Sequence, residues 1–399
     1  MTAAPQRTAP ELTNPNQPPS PHKTQHPWQV LAVLMAAGCL SSAAGAVVAP
    51  VFPEIVDYFE LSDRWAGVLV SAHTLTTAIA SLVFGLLASR LGSLRILLSC
   101  LVGYAIFGGL GTVANGFWGI LFSRALVGIA SGGIGAGSIG ILSNLYDGEA
   151  RTRMMGYATS ALATATVIFP ILGGGLGDLY HWRAAFWLYG LGLPVALGGL
   201  LLLPKGKQHR TTLPQTDGIS RVLKQNRVWL LFLALATASA IFYVVVVYAP
   251  LYLRQAINAS SLLNGFVLAA RSVGAAVIAA VGAAKVSKKL GAGRAIATGF
   301  LLMAISLATI PSVLAPSLML LAGLIFGLGF GLVMPNFYSA LADLSSDSQR
   351  SGVLAIGTGC ASMGQFISPF IFGPIWASSG TQVFYIAAAI AATVGILNW

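Results

Sequence analysis

The chain alternates long apolar runs with short polar breaks. A membrane-crossing helix needs about 20 mostly apolar residues. Twelve runs approach or exceed that length: 29–51, 66–88, 95–114, 117–141, 154–176, 184–203, 228–251, 262–284, 293–312, 317–342, 352–376 and 381–398. The pattern predicts an all-α membrane protein with twelve transmembrane helices. Residues 1–27 are rich in Pro, Thr, Gln and Asn, hold no apolar run, and read as a disordered cytoplasmic tail. A second polar stretch, 204–227, carries six Lys/Arg and separates six runs from six. The expected organisation is therefore a tail (1–27), a six-helix half (28–203), a cytoplasmic linker (204–227) and a second six-helix half (228–399).

The basic residues orient the spans. With the N-terminus inside, the inner segments carry seventeen Lys/Arg and the outer loops only Arg64, Arg183 and Arg254. Cytoplasmic segments collect Lys and Arg, so both termini are expected in the cytoplasm of a multi-pass protein of the cell inner (plasma) membrane. Composition agrees: 56% of residues are hydrophobic and 8% charged, against about 25% charged in a soluble domain. The net charge of +11 does not imply nucleic-acid binding, because the basic residues are scattered singly and in pairs between apolar runs. Cys39, Cys100 and Cys360 lie inside apolar runs, with no disulfide or zinc spacing. No phosphate-binding loop, metal-ligand spacing or catalytic triad is present. No enzyme activity, cofactor or metal is expected.

Sliding the chain on itself by 199 residues brings Gly92 onto Gly291, Arg95 onto Arg294, Gly128 onto Gly327, Pro170 onto Pro369 and Gly174 onto Gly373. The turn "SRLGSLR" meets "KKLGAGR". Such a parallel repeat is what transporters with a midplane site between two halves show.

Three motifs carry a family resemblance. Between the second and third spans stand Gly85, Ser89, Arg90, Gly92 and Arg95. The fourth span has Arg124 followed by Gly128. The fifth reads Gly156, Ala165, Phe169–Pro170 and Gly173–Gly174. With "HWRAAFWLYG" at 181–190, the chain resembles the Major Facilitator Superfamily, and within it the twelve-span drug/proton antiporter branch. The family's loop motif has Asp where this chain has Ser89, and two glycines of the fifth-span motif are replaced. The resemblance implies two pseudo-symmetric six-helix bundles that rock about a central site, with the loop motif acting as a conformational latch. Read on its own, the loop is either such a latch, with Arg90 and Arg95 meeting helix-end carbonyls or acids of the other half, or a positive-inside anchor. Gly85 and Gly92 would let the helix ends approach.

None of the eleven acidic residues lies well inside a span, whereas His73, Arg124 and Arg271 do. A charged residue at the bilayer centre costs at least about 2.5–3.5 kcal/mol and is kept where it faces a cavity or a partner. Arg271 lies about nine residues into its span, roughly 14 Å of helix rise. Aligning Gly67 with Gly265 sets His73 opposite Arg271. Arg271 either receives an anionic solute or pairs with helix-end carbonyls. His73, which titrates near neutrality when unperturbed, either carries a proton or bonds a nearby hydroxyl such as Thr74, Thr76 or Thr77. Arg124 is a candidate for solute binding and proton coupling. Tyr243, Tyr248, Asn336, Tyr338 and Gln365 are further pocket candidates. The glycines of the fourth and tenth spans allow close helix approach. These features predict a monomeric secondary transporter that exports a small anionic or zwitterionic solute in exchange for protons. Alternatives are organic-anion uptake or exchange, broader multidrug efflux, and a transporter-like sensor that moves nothing.

Overall fold

The structure, a computed structural model, describes residues 27–145, 148–204 and 222–398. The expected tail and most of the expected linker lie outside the described residues. In chain order the helices are α1 (Pro27–Ala46), α2 (Phe52–Tyr58), α3 (Asp63–Leu91), α4 (Ser93–Val113), α5 (Phe117–Leu145) and α6 (Gly148–Leu179). A 3-10 segment (Trp182–Leu191) then runs into α7 (Gly192–Leu202). The second half holds α8 (Asn226–Ile257), α9 (Ser261–Val277), a π-helical segment (Ile278–Gly282), α10 (Ala283–Leu290), α11 (Ala292–Thr309), α12 (Pro316–Asp343), α13 (Asp347–Ser379) and α14 (Gln382–Leu397). Among the described residues eleven spans are long and apolar enough to cross a membrane, and α14 is a shorter apolar helix in the twelfth position. An all-helical design satisfies each backbone N–H and C=O within its own segment, which lipid requires. Leu, Ile, Val, Phe and Trp side chains are left exposed around the outside.

Two local departures from the sequence reading have clear causes. The first run was expected to stay helical to residue 51, but α1 stops at Ala46 and residues 47–51 form turns before α2. Pro50 and Pro53 lack the N–H that a continuing helix would need. Conversely, α3 and α10 run on through the basic stretches expected as loops. The reversal is one residue, Gly92 at φ +84°, matched by Gly291 at φ +87° in the second half. Only glycine takes this conformation freely. Arg90, Lys288 and Lys289 thus occupy the last turns of their helices, where a cation meets the negative end of the helix dipole. A Cβ on Gly85 would meet nothing within 4 Å, so no close helix approach depends on that glycine.

The repeat is visible in reciprocal contacts. Gly128 lies on the backbone of His73, and Gly327 on that of Arg271. Gly67 meets Pro369, and Gly265 meets the Pro170 carbonyl. His73 and Arg271 therefore occupy equivalent positions in the two halves.

The second pair of contacts belongs to a clasp joining the halves at the end opposite Gly92 and Gly291. There Ser261 Oγ donates to Glu54 Oε1 (2.5 Å), Asn264 Nδ2 donates to the Pro50 carbonyl (3.2 Å), and Arg254 pairs with Asp57 (3.5 Å). Gly173 rests on the Val47 carbonyl and Gly174 on that of Ser261, so both serve close helix contact; Gly156 faces open space. Arg90 is exposed, and among the described residues no hydrogen bond or ion pair engages the side chains of Arg90 or Arg95. Among the described residues the halves meet at the other end, and the latch contacts considered for Arg90 and Arg95 are not among the contacts described.

Candidate functional site

Along each of its helices the cavity lining begins within two turns of the clasp, on the side toward Gly92 and Gly291. The cavity measures about 230 Å3. Its walls come from α1 (Ser41, Ser42, Gly45, Ala46), the turn that follows it (Ala49), α3 (His73, Thr74, Thr77) and α6 (Thr166, Pro170) of the first half. The second half contributes α8 (Phe242, Tyr243, Val246), α9 (Leu268, Arg271) and α13 (Ser362, Gln365). No carboxylate is among them.

Arg271 is 9% exposed. Its guanidinium lies 4.0 Å from the centre of the Phe242 ring, which itself stacks on Phe330 (4.4 Å, 29°). A cation over an aromatic face is attracted by the ring quadrupole, by about 2 kcal/mol or more when desolvated. That contact serves one face only. Nε and Nη1 are sealed from solvent and have no acceptor. A buried charge without a hydrogen-bonded partner is costly, and this one borders a cavity.

His73 is buried, and its Nδ1 lies 2.7 Å from the Val70 carbonyl. A carbonyl only accepts, so Nδ1 carries the hydrogen. Nε2 then points toward α1, where a Cβ on Gly45 would come within 2.5 Å of it. Tyr243 of the other half donates to the same Val70 carbonyl at 3.4 Å. One backbone oxygen thus joins His73 of the first half to Tyr243 of the second.

Arg124 is fully buried and lies outside the cavity wall. Its Nη2 donates to the Ala44 carbonyl at 2.5 Å, its Nη1 to Tyr189 Oη, and Tyr189 donates to that same carbonyl at 2.8 Å. Ala44 sits in the last turn of α1, where carbonyls have no helical partner and carry the negative end of the dipole.

Of the other candidates, Tyr243 and Gln365 line the cavity and three do not. Tyr248 is buried against Trp376, with ring centres 5.6 Å apart. Asn336 Nδ2 returns to the Leu332 carbonyl of its own helix at 2.8 Å. Tyr338 packs beside Gly357. The sequence reading missed Phe242, Gly45 and Ser362. Phe242 adjoins Tyr243, but nothing in the order of residues shows that its ring meets Arg271, 29 positions away.

A profile of the Major Facilitator Superfamily matches residues 34–269 and 249–399. The chain belongs to the Major Facilitator Superfamily. It is a multi-pass membrane protein of that family. It is 23% identical to the multidrug resistance protein MdtG of Escherichia coli O9:H4 (strain HS) over 399 aligned residues, 96% of each chain. It is 29% identical over 169 residues to the efflux pump bfoC of Aspergillus brasiliensis, 42% of this chain and 29% of that protein. The chain thus spans less than a third of the length of that pump and nearly all of MdtG. In fold it is similar to a bacterial homologue of the human lysosomal transporter Spinster, solved in an inward-facing and occupied conformation. The TM-score is 0.76 at 17% identity, covering 92% of this chain and 96% of the other.

Proposed function

We propose that this transporter exports a small anionic or zwitterionic organic solute across the cell inner membrane in exchange for protons. It works as a monomer, since each chain encloses its own cavity between its two halves. Both termini are cytoplasmic in this reading. The clasp then lies on the outer side, and the cavity belongs to a state that loads from the cytoplasm.

One observation carries the substrate charge: the Arg271 guanidinium borders the cavity with no hydrogen-bond acceptor among the described residues, and no carboxylate among them lines that cavity. In a low-dielectric site a fixed cation attracts an anion and repels a cation more strongly than in water. His73 is the proton carrier, taking a proton at Nε2 while Nδ1 stays on Val70. Tyr243, on the same carbonyl, links that event to the half that binds the solute. Arg124 supports His73 indirectly by fixing the end of α1. A second reading, efflux of broader specificity, is favoured by the relatives, a multidrug resistance protein and an efflux pump.

The test is uptake into inside-out proteoliposomes of purified protein, with and without an imposed pH gradient. Anionic solutes should accumulate against their gradient when the lumen is acidic, and Arg271→Ala should abolish this. Transport of a cationic solute that survives Arg271→Ala would overturn the assigned charge.

A further inference from the structure

We infer that the solute is an aromatic monoanion, a flat apolar body bearing one carboxylate or sulfonate, and not a polyhydroxylated or multiply charged anion. This rests on the proposal that Arg271 receives an anion, and adds the shape, polarity and charge number of what it receives.

The first observation is how the polar wall is already satisfied. Ser41 donates to the Ser131 carbonyl (2.9 Å), Thr74 to that of Ser71 (2.7 Å), Thr77 to that of Gly128 (3.1 Å) and Thr166 to that of Ala163 (2.8 Å). His73 and Tyr243 both direct their hydrogens to Val70. A hydroxyl has one hydrogen to give. Most of the wall's donors therefore face backbone, leaving Ser42, Ser362 and Gln365 beside Arg271. A solute rich in hydroxyls would lose its water and find few donors in return, and an unpaired buried polar group costs about 1–3 kcal/mol.

The second observation is charge number. The wall holds one guanidinium, and Nε and Nη1 of that group are closed off, which leaves Nη2 as the nitrogen that can meet a solute without rearrangement. A second negative charge on the solute would have no partner in the wall apart from a protonated His73.

The third observation is the apolar remainder. Ala46, Ala49, Val246, Leu268, Pro170 and the ring of Phe242 supply the rest of the surface. Phe242 reaches both the cavity and the guanidinium, and continues into a stack with Phe330. A flat ring beside the carboxylate or sulfonate extends that stack. A cavity of about 230 Å3 suits a body of one or two fused rings.

The experiment measures binding to the purified full-length protein in nanodiscs, using 1-naphthoate as the aromatic monoanion. Acetate keeps the charge without the body, glucuronate replaces the ring with hydroxyls, phthalate doubles the charge, and phenyltrimethylammonium inverts it. Naphthoate should bind at least about tenfold more tightly than acetate or glucuronate, the usual scale for burying an apolar body. Phthalate should also bind more weakly than naphthoate. Phe242→Leu should weaken naphthoate by about threefold to tenfold and leave acetate unchanged. Arg271→Gln should weaken naphthoate by about a hundredfold, and Arg271→Lys should restore part of that loss. Acetate, glucuronate or phthalate binding as tightly as naphthoate would overturn the inference and leave the anion reading standing. So would Phe242→Leu without effect on naphthoate. Preference for phenyltrimethylammonium, or indifference to Arg271→Gln, would overturn the anion reading itself. No binding of naphthoate at millimolar concentration overturns the inference.

Discussion

Arg124 and Arg271 are both buried in transmembrane helices with no acidic partner among the described residues, and their surroundings differ in kind. Arg124 is enclosed within the first half, where two nitrogens reach the Ala44 carbonyl and Tyr189. Arg271 stands at the junction of the halves, where a phenyl ring covers one face and two nitrogens have no acceptor. Burial and a missing carboxylate therefore do not distinguish a structural arginine from a ligand-binding one. Hydrogen bonding within the chain does. The end of α1 supplies Arg124 with a carbonyl in place of a partner acid and leaves only its Nε without a partner, whereas among the described residues no hydrogen bond engages Arg271, which the proposed function leaves to the solute.

The largest expected effect tests the satisfied member. Arg124→Ala removes both contacts at the end of α1 and leaves Tyr189 alone on the Ala44 carbonyl. Breaking a buried charged network costs about 3–5 kcal/mol. Thermal unfolding in detergent should show a strongly lowered midpoint or loss of folded protein. A variant as stable as the parent would erase the contrast. Arg271→Ala should do the opposite. It removes an uncompensated charge, so the midpoint should hold or rise, while affinity for an anionic solute falls by about a hundredfold. If both variants unfold alike, the two arginines are equivalent and the cavity is not read by Arg271.

The fold was legible because run length alone identifies a spanning helix, and because one offset aligned glycines, prolines and arginines of the two halves. A register one residue shorter, Gly67 on Gly265, paired His73 with Arg271, and their contacts with Gly128 and Gly327 are equivalent. What the sequence could not show was which face of a helix turns inward. Tyr248, Asn336 and Tyr338 look as suitable as Tyr243 and Gln365, yet they turn into their own half. The partner of Arg124 was hidden for another reason. It is a backbone carbonyl, freed because α1 ends early, and Ala44 gives no sign of it. The basic turn was legible as a reversal and not as a single residue. That allows a test of intermediate size. Valine at position 92 would sit at φ +84°, a cost of about 1–2 kcal/mol. Gly92→Val and Gly291→Val should slow transport in parallel without unfolding the protein, whereas Gly85→Val, which meets open space, should not. Normal transport by Gly92→Val would reduce the turn to a topological anchor.

The smallest expected effect concerns His73, the counterpart of Arg271 in the first half. Its Nδ1 is tied to Val70, and its Nε2 faces α1 beside Gly45, so it can take a proton without breaking the bond that orients it. A proton there changes the charge of the wall next to the carbonyl that Tyr243 shares. Exchange requires the proton and the solute to occupy the site in turn, so solute affinity should fall as pH falls through the titration of this histidine, and arrival of the proton should favour release of the anion. His73→Ala removes the titrating group and leaves Arg271, Phe242 and Gln365 in place. It should change affinity by less than about threefold, well under the 2–5 kcal/mol of truncating a paired charge, and flatten the dependence on pH. Gly45→Ala, which crowds Nε2, should shift the pH dependence without abolishing it. A His73→Ala protein that keeps the parent's pH profile would assign the proton elsewhere and leave Arg271 as the sole charged determinant of the cavity.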